Sequence, residues 1–299
     1  MLFPVSGVEA NPVFLFFVAF AISYVTSMGG VSGAFLLLPF QMSILGYTTP
    51  SVSATNHLFN VVAIPSGVYR YIREGRMLWP LTLVVIIGTL PGVFIGAWVR
   101  IEFLPNPENF KRFAGIILLF VGWRLFLDIL QRKNKTPQQK PENLGRFHTV
   151  RMMETSFRKI VFGFNQDVYN FSPGWVLLLC FFVGIAGGTY GIGGGAIIAP
   201  FLIAIMRLPV HAVAGAALMG TFVTSLAGVV FYHVLARSYP GISISPDWLL
   251  GLILGLGGLL GMYLGARTQK FLPPKIIKGI LCACVLFIAL SYLSGFLLS

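Results

Sequence analysis

The chain has 299 residues, of which 56% are hydrophobic and only 10% charged, and its mean hydropathy is +0.84. A soluble domain carries roughly a quarter charged residues, so this composition excludes an ordinary soluble enzyme and requires an integral membrane protein. The formal net charge of +12 reads as a topology signal rather than a nucleic-acid surface, and no nucleic acid is expected as a partner.

Ten apolar segments follow in chain order: Pro12 to Ser27, Val31 to Leu45, Val52 to Tyr71, Leu78 to Val99, Phe113 to Leu130, Trp175 to Tyr190, Ala196 to Met206, Ala212 to Leu235, Trp248 to Ala266 and Ile276 to Leu298. Most reach the length of about 20 residues that a spanning helix needs. The first two of each half do not, since about 15 residues of helix rise only about 22 Å against a hydrocarbon core of about 30 Å. They are expected as short tilted spans or as a hairpin that enters and leaves from one face. The first run has no Lys or Arg before it and no small-residue cleavage pattern, so it is read as structure rather than as a signal peptide.

The chain also repeats itself. Met28 to Phe40 (MGGVSGAFLLLPF) aligns with Thr189 to Phe201 (TYGIGGGAIIAPF) at an offset of 161, so that Gly30/Gly191, Gly33/Gly194, Pro39/Pro200 and Phe40/Phe201 coincide. The register continues through Gly67/Gly228 and Tyr71/Tyr232. After a longer second-half loop it resumes at an offset of 169 with Trp79/Trp248, Gly92/Gly261 and Gly96/Gly265. Each half holds an odd number of segments, five, so the second is expected upside down relative to the first. Of the 21 Lys and Arg residues, all but Arg100, Lys111, Arg112 and Arg237 are counted to the face reached after segments three, five, seven and nine. That bias marks one face as cytoplasmic and puts both termini on the non-cytoplasmic side. The fold expected is therefore an all-α integral membrane protein of about ten transmembrane or re-entrant segments, in two inverted repeats of five that each open with a short-helix hairpin. Residues 1–130 form the first repeat, 131–173 a basic cytoplasmic linker and 174–299 the second, inverted repeat.

Within the linker, KNKTPQQKPEN has the composition of flexible chain. Further on, Phe147, Val150, Met153, Phe157, Ile160 and Phe164 recur at spacings of three or four between basic residues. That pattern fits either an amphipathic helix on the inner leaflet or a solvated loop. Cys180, Cys282 and Cys284 fall inside apolar segments without a CxxC pair and read as small core residues. His57, His148, His211 and His233 are scattered, with neither HExxH nor Ser/His/Asp spacing, so no enzyme, no metal and no cofactor is expected.

Segment three concentrates Ser51, Ser53, Thr55, Asn56, His57 and Asn60, and its repeat mate carries Thr221, Thr224 and Ser225. Polar side chains at membrane depth face the bundle interior or a watered cavity. Asn56 and Asn60 share a helix face with Ser53, with His57 beside them; ligand contact and interhelical hydrogen bonding both fit this set. The repeat cores hold no Asp or Glu, which leaves a carboxylate proton relay without its parts. The glycine turns are the sharper feature. A helix that starts after an unhindered bend presents backbone N–H groups with no internal partner at the positive end of its dipole, an arrangement that attracts anions. Two such turns approaching the midplane from opposite faces would hold a small anionic substrate between them. The substrate-binding residues expected are Ser27, Gly30, Ser32 and Gly33 at the first turn; Asn56, His57 and Asn60 on segment three; Thr189, Tyr190, Gly191, Gly193, Gly194 and Gly195 at the second turn; and Thr221 and Thr224 on segment eight. The lipid bilayer is the other expected partner, and a homodimer is left open.

The GIGGG run at Gly191 to Gly195 followed by AIIAPFL, with GGVSGAFLLLPF at the matching place in the first half, resembles the TauE/SafE family of sulfite and organosulfonate exporters. The resemblance covers nearly the whole chain apart from residues 131–173. It implies a secondary transporter that exports a small sulfur-containing anion, such as sulfite or sulfoacetate, across a bacterial-type inner membrane. A channel-like or uptake permease for another small anion is the alternative. Ser32 and Ala34 stand where the family often places further glycine, and Ala216 and Ala217 where a Thr-Ser pair is usual. Those departures alter the polar lining rather than the scaffold.

Overall fold

A computed structural model describes residues 1–28, 31–131, 150–156, 158–164, 167–204, 206, 208–268 and 274–297. In chain order these form α1 (Pro12–Met28), α2 (Ala34–Ser43), α3 (Ser51–Arg73), α4 (Trp79–Glu102) and α5 (Pro107–Gln131). Three strands follow, β1 (Arg151–Thr155), β2 (Ile160–Phe164) and β3 (Asp167–Phe171), and then α6 (Pro173–Tyr190), α7 (Gly194–Ala204), α8 (Val210–Leu235), α9 (Trp248–Thr268) and α10 (Pro274–Leu297). The starts of α1, α5 and α9 are fixed locally by side-chain caps. Asn11 accepts from the Val13 amide (2.9 Å), Asn106 from Glu108 (2.8 Å) and Asp247 from Leu250 (3.1 Å), with proline as the first residue of α1 and α5.

The protein is mostly helical. Among the described residues, Trp79–Glu102, Pro173–Tyr190, Ala212–Ser238 and Trp248–Thr268 are long and apolar enough to cross a bilayer. Helix α3 has 23 residues, but its polar cluster dilutes its hydropathy. Large apolar side chains cover the outside of the bundle, among them Ile87 and Phe182, each 61% exposed, and Phe287 at 73%; such a surface is tolerable only against lipid. Helices α2 and α7, with 10 and 11 residues, rise about 15 to 17 Å and cannot cross the hydrocarbon alone.

Packing pairs the two halves crosswise: α1 lies on α9, α4 on α6, α3 on α8, and α5 on α10. Two glycine ridges make the first two contacts close. Gly88, Gly92 and Gly96 of α4 sit against the backbone of α6 at Leu177, Phe181 and Ile185, and a Cβ on any of them would meet the carbonyl there. Gly257, Gly261 and Gly265 of α9 meet the carbonyls of Phe16, Phe20 and Tyr24 on α1 in the same way. Each of these contacts is the repeat counterpart of one on the other side, in the registers read from the sequence. Small residues at every fourth position let two backbones approach where apolar burial gives no advantage over lipid.

Chain ends and loops sort to two ends of the bundle. At one, the Ser6 amide and hydroxyl donate to Asp247 (3.0 and 2.9 Å), the Ser51 amide donates to Ser243 O (3.0 Å), and the Tyr239 hydroxyl donates to Glu102 (2.8 Å). At the other, the Val150 amide donates to Gly75 O (3.2 Å), joining the start of the sheet to the α3–α4 loop.

The segment after residue 150 forms neither the amphipathic helix nor the plain loop that its spacing allowed. It is an antiparallel sheet in the order β1-β2-β3, with a bulge between Met152 and Glu154. Ile160, Phe162 and Phe164 are buried on one face of β2, and Phe162 stacks on Tyr169 with ring centroids 5.6 Å apart. The i, i+3 pattern counted Ile160 and Phe164 but passed over Phe162; the alternation of β-branched and aromatic residues is the signal that wins. Phe147 and Phe157, which completed the helical pattern, lie outside the described residues.

The ridges carry an expected outcome. Gly92→Val should cost about 1–3 kcal/mol by overpacking, read as a lowered thermal midpoint or folded yield in detergent. Gly174→Ala, with open space around its Cβ position, should leave both unchanged.

Candidate functional site

Helix α3 carries the polar residues inward: Ser51, Ser53, Thr55, Asn56, His57 and Asn60 are each fully buried. Donors buried at membrane depth need acceptors nearby, and for Asn56 and Asn60 the two glycine turns and the start of α2 supply carbonyls. The Asn56 amide donates to Ala34 O at the start of α2 (3.0 Å) and to Gly191 O in the second turn (3.1 Å), while its Oδ1 accepts from Gln41 Nε2 (3.3 Å). One turn along, Asn60 Nδ2 donates to Ile192 O (3.0 Å) and to Ser225 Oγ on α8 (3.1 Å), and its Oδ1 accepts from the Ser32 hydroxyl. Two asparagines thus clamp the first turn to the second.

The bonds run in one direction. The Ala34 amide donates to Ser32 Oγ (3.2 Å), Ser32 to Asn60, and Asn60 to Ser225. Ser225 Oγ lies 3.2 Å from His57 Nδ1. The Ser225 hydroxyl pairs with Nδ1 in either tautomer, donating to it or accepting from it, because its oxygen has one proton and two lone pairs. The His57 Nε2 is buried and makes no hydrogen bond of ordinary geometry, although the Gly188 backbone lies near enough to interact with the ring. The ring is held in place between Gly228, where a Cβ would come within 2.8 Å of it, and Tyr232, whose centroid is 6.0 Å away.

The second turn is shaped by positive φ at Gly191 (+87°) and Gly193 (+76°), conformations that side chains disfavour. Its first three amides, Gly191, Ile192 and Gly193, all donate to Gly187 O at 2.9 to 3.3 Å and close the end of α6. The amides with no intrahelical acceptor are therefore those that open α7, from Gly194 on. Gly194 packs against Thr89, and Gly195 against the α8 backbone at Ala217 and Thr221. Tyr190 is fully buried, and its hydroxyl donates to Phe35 O (3.3 Å). That carbonyl lost its helical donor because Pro39, four residues on, has no N–H.

Other expected residues sit at the margin. Ser27 is spent on the Tyr24 carbonyl (3.2 Å) in the α1–α9 contact, beside Gly265. Gly33 packs against Ser23 and Phe59, and Gly30 lies outside the described residues. Thr189 donates to Gly96 O (3.0 Å), and Thr221 and Thr224 to carbonyls of their own helix (2.8 and 2.7 Å).

Three contributors were absent from the sequence-derived set. Ser225 and Gln41 are ordinary polar residues whose importance comes from what folds against them. Arg100 is the third: fully buried, it donates to Thr48 O (3.3 Å) and Leu104 O, and its guanidinium carbon lies 3.8 Å from the Phe110 ring centroid. Its Nε has no partner, and no carboxylate pairs with it among the described residues. Phe110 and Tyr190, with ring centroids 6.3 Å apart, connect this cation to the second turn. The sequence placed Arg100 among the loop charges because it ends an apolar segment; a charge still in register with that segment's inward glycines was the available sign.

Crosswise-packed apolar helices around a buried polar centre define a multi-pass membrane transporter. The chain belongs to the sulfite exporter TauE/SafE family, whose family model matches residues 15–292. It is 24% identical over 265 residues to a probable membrane transporter protein, YunE, of Bacillus subtilis strain 168, covering 85% of this chain and 86% of that one. A probable membrane transporter protein of Xylella fastidiosa strain 9a5c is 23% identical over 281 residues, covering 89% and 90%. No solved structure matches the chain.

Asn56→Ala should lower stability by about 1–3 kcal/mol, since it strips a donor from two buried carbonyls. Thr224→Ala, whose hydroxyl serves its own helix, should cost less than about 1 kcal/mol. Chemical denaturation in detergent compares the two.

Proposed function

We propose that the chain is a secondary transporter that exports a small sulfur oxyanion, sulfite or an organosulfonate such as sulfoacetate, across a cell inner membrane, and that the anion binds between the two glycine-rich turns. The observation that carries this reading is the buried polar cluster of Ser32, Asn60, Ser225 and His57 that joins the two turns, with His57 Nε2 left without a hydrogen bond of ordinary geometry. The leading amides of α7 add donors with the favourable helix dipole. A sulfonate or sulfite has three oxygens that accept several such donors at once. Arg100 supplies the one buried cation near the second turn among the described residues, so that an anion leaving the turns toward that end meets positive charge.

In this reading the two halves, 1–130 and 174–299, are inverted repeats joined by the 131–173 linker. The matched glycine ridges and the exchange of α1 and α6 between halves support it. With the α3–α4 loop and the sheet on the cytoplasmic side, residues 1–10 and the α8–α9 loop face outward.

Two measurements test this reading. Sulfite or sulfoacetate at 100 times its dissociation constant should stabilise the purified protein by about 2.7 kcal/mol, and proteoliposomes should show counterflow. His57→Ala and Arg100→Gln should each weaken the anion affinity read from that stabilisation at least tenfold. An anion response equal in wild type and both variants would refute the site, and flux without counterflow would indicate a channel-like permease. For sidedness, Cys180, Cys282 and Cys284 are first replaced. A cysteine at Asn170, exposed on β3, should then react with an impermeant reagent only from the cytoplasm, and one at Ile242, 42% exposed in the α8–α9 loop, only from outside. Labelling of both from one face would overturn the orientation.

A further inference from the structure

Where α3 and α9 end side by side, a cleft of about 360 Å³ opens between them, lined by Tyr69, Arg70, Arg73, Glu74, Tyr263 and Arg267. Small-molecule sites span about 300–1,000 Å³, so the space suffices for a ligand group. The lining is unbalanced in charge. Glu74 is its single carboxylate, and both oxygens are engaged, Oε1 by Arg70 Nε at 2.9 Å and Oε2 by Arg76. Arg73 and Arg267 are exposed and make no ion pair among the described residues. Arg70 is thereby held rigid while two further guanidinium groups line the same space uncompensated. Planar guanidinium forks match the oxygens of a phosphate in pairs, which no neutral ligand would reward.

The surroundings say which phosphate. Tyr69 and Tyr263 are 59% and 42% exposed at the rim, as amphipathic rings are at the boundary between lipid and water. Below the rim, Leu260 and Leu256 of α9 are 47% and 52% exposed and continue the same helix face into the apolar belt. A free phosphate gains nothing from that track, whereas acyl chains fill it. Anionic leaflets also concentrate at basic ends of membrane proteins. We propose that this cleft seats the phosphate of an anionic phospholipid, with Arg73 and Arg267 on its oxygens, Arg70 beside them and the acyl chains against Leu256 and Leu260.

Delipidated protein in detergent is titrated with short-chain phosphatidylglycerol, with phosphatidylcholine and with inorganic phosphate, following the thermal midpoint and the lipid retained in native mass spectrometry. Phosphatidylglycerol should raise the midpoint saturably, with one lipid retained per chain. Arg73→Gln combined with Arg267→Gln should weaken that binding at least tenfold while leaving the lipid-free midpoint unchanged. Should the double variant fold poorly, Arg267→Gln alone, at the exposed end of α9, should still weaken it at least threefold. An equal response to phosphatidylcholine, or undiminished phosphatidylglycerol binding by the variants, overturns the site. Stabilisation by inorganic phosphate as strong as by phosphatidylglycerol overturns the lipid as its occupant.

Discussion

A polar group inside a membrane bundle has to find its partner within the protein, and the positions of α2, α3, α7 and α8 follow from how Asn56 and Asn60 meet that requirement. Each asparagine spends one amide proton on a carbonyl of the second turn, and each has a further bond to the first turn or to the chain just after it. Neither turn could satisfy its own carbonyls, because each interrupts a helix and so leaves acceptors without donors. The clamp and the interruption therefore require one another. Since the Asn60 amide spends its protons on Ile192 O and Ser225 Oγ, its oxygen is left to accept from Ser32, and the direction of that bond is fixed. Structure and proposed recognition are thus coupled: the groups that hold the turns together also hold His57, whose Nε2 makes no hydrogen bond of ordinary geometry.

The glycine ridges solve a different problem, how to bind helices together where lipid is as apolar as leucine. At every fourth residue α4 and α9 remove the side chain altogether, and the partner backbone comes into the gap. Because α4 takes its partner from the second half and α9 from the first, neither half is complete without the other. Ser23 and Ser27 occupy on α1 the positions that Gly184 and Gly188 occupy on α6, which explains why Ser27 is consumed in packing while the turn it precedes is elsewhere lined. The repeat is close but not identical, and the polar lining differs between the halves as a result.

The helices were legible because hydropathy has to be continuous over a span, and the ten α-helices among the described residues fall where the ten apolar runs lie. The inward set on α3 was legible for the complementary reason, that polar residues are rare in such runs and need a cause. What sequence could not supply was the partner of each group. Ser225 looks like any helix serine until Asn60 and His57 arrive from a segment some 165 residues away. The amides of Gly191 to Gly193 read as available donors, yet the turn that frees them also folds them back onto Gly187 O. In the linker a helical spacing and a strand alternation coexisted in the same residues. Only pairing with β1 and β3 decides between them, because strand stability resides in the neighbour rather than in the strand.

A carrier must recognise charge without holding it, and this bears on why the turns lack a lysine or arginine. A permanent cation buried at the site would bind a small anion strongly when desolvated and would itself be costly when the site is empty. Neutral donors such as the first amides of α7 lose less in the empty state and release the anion more readily. Arg100 stands apart from them, beyond the aromatic pair of Phe110 and Tyr190, with two backbone carbonyls and a ring face to steady it when no anion is near. On the proposed reading that separation divides the work: weak neutral donors at the turns permit turnover, and the shielded cation draws the anion along the path toward one end.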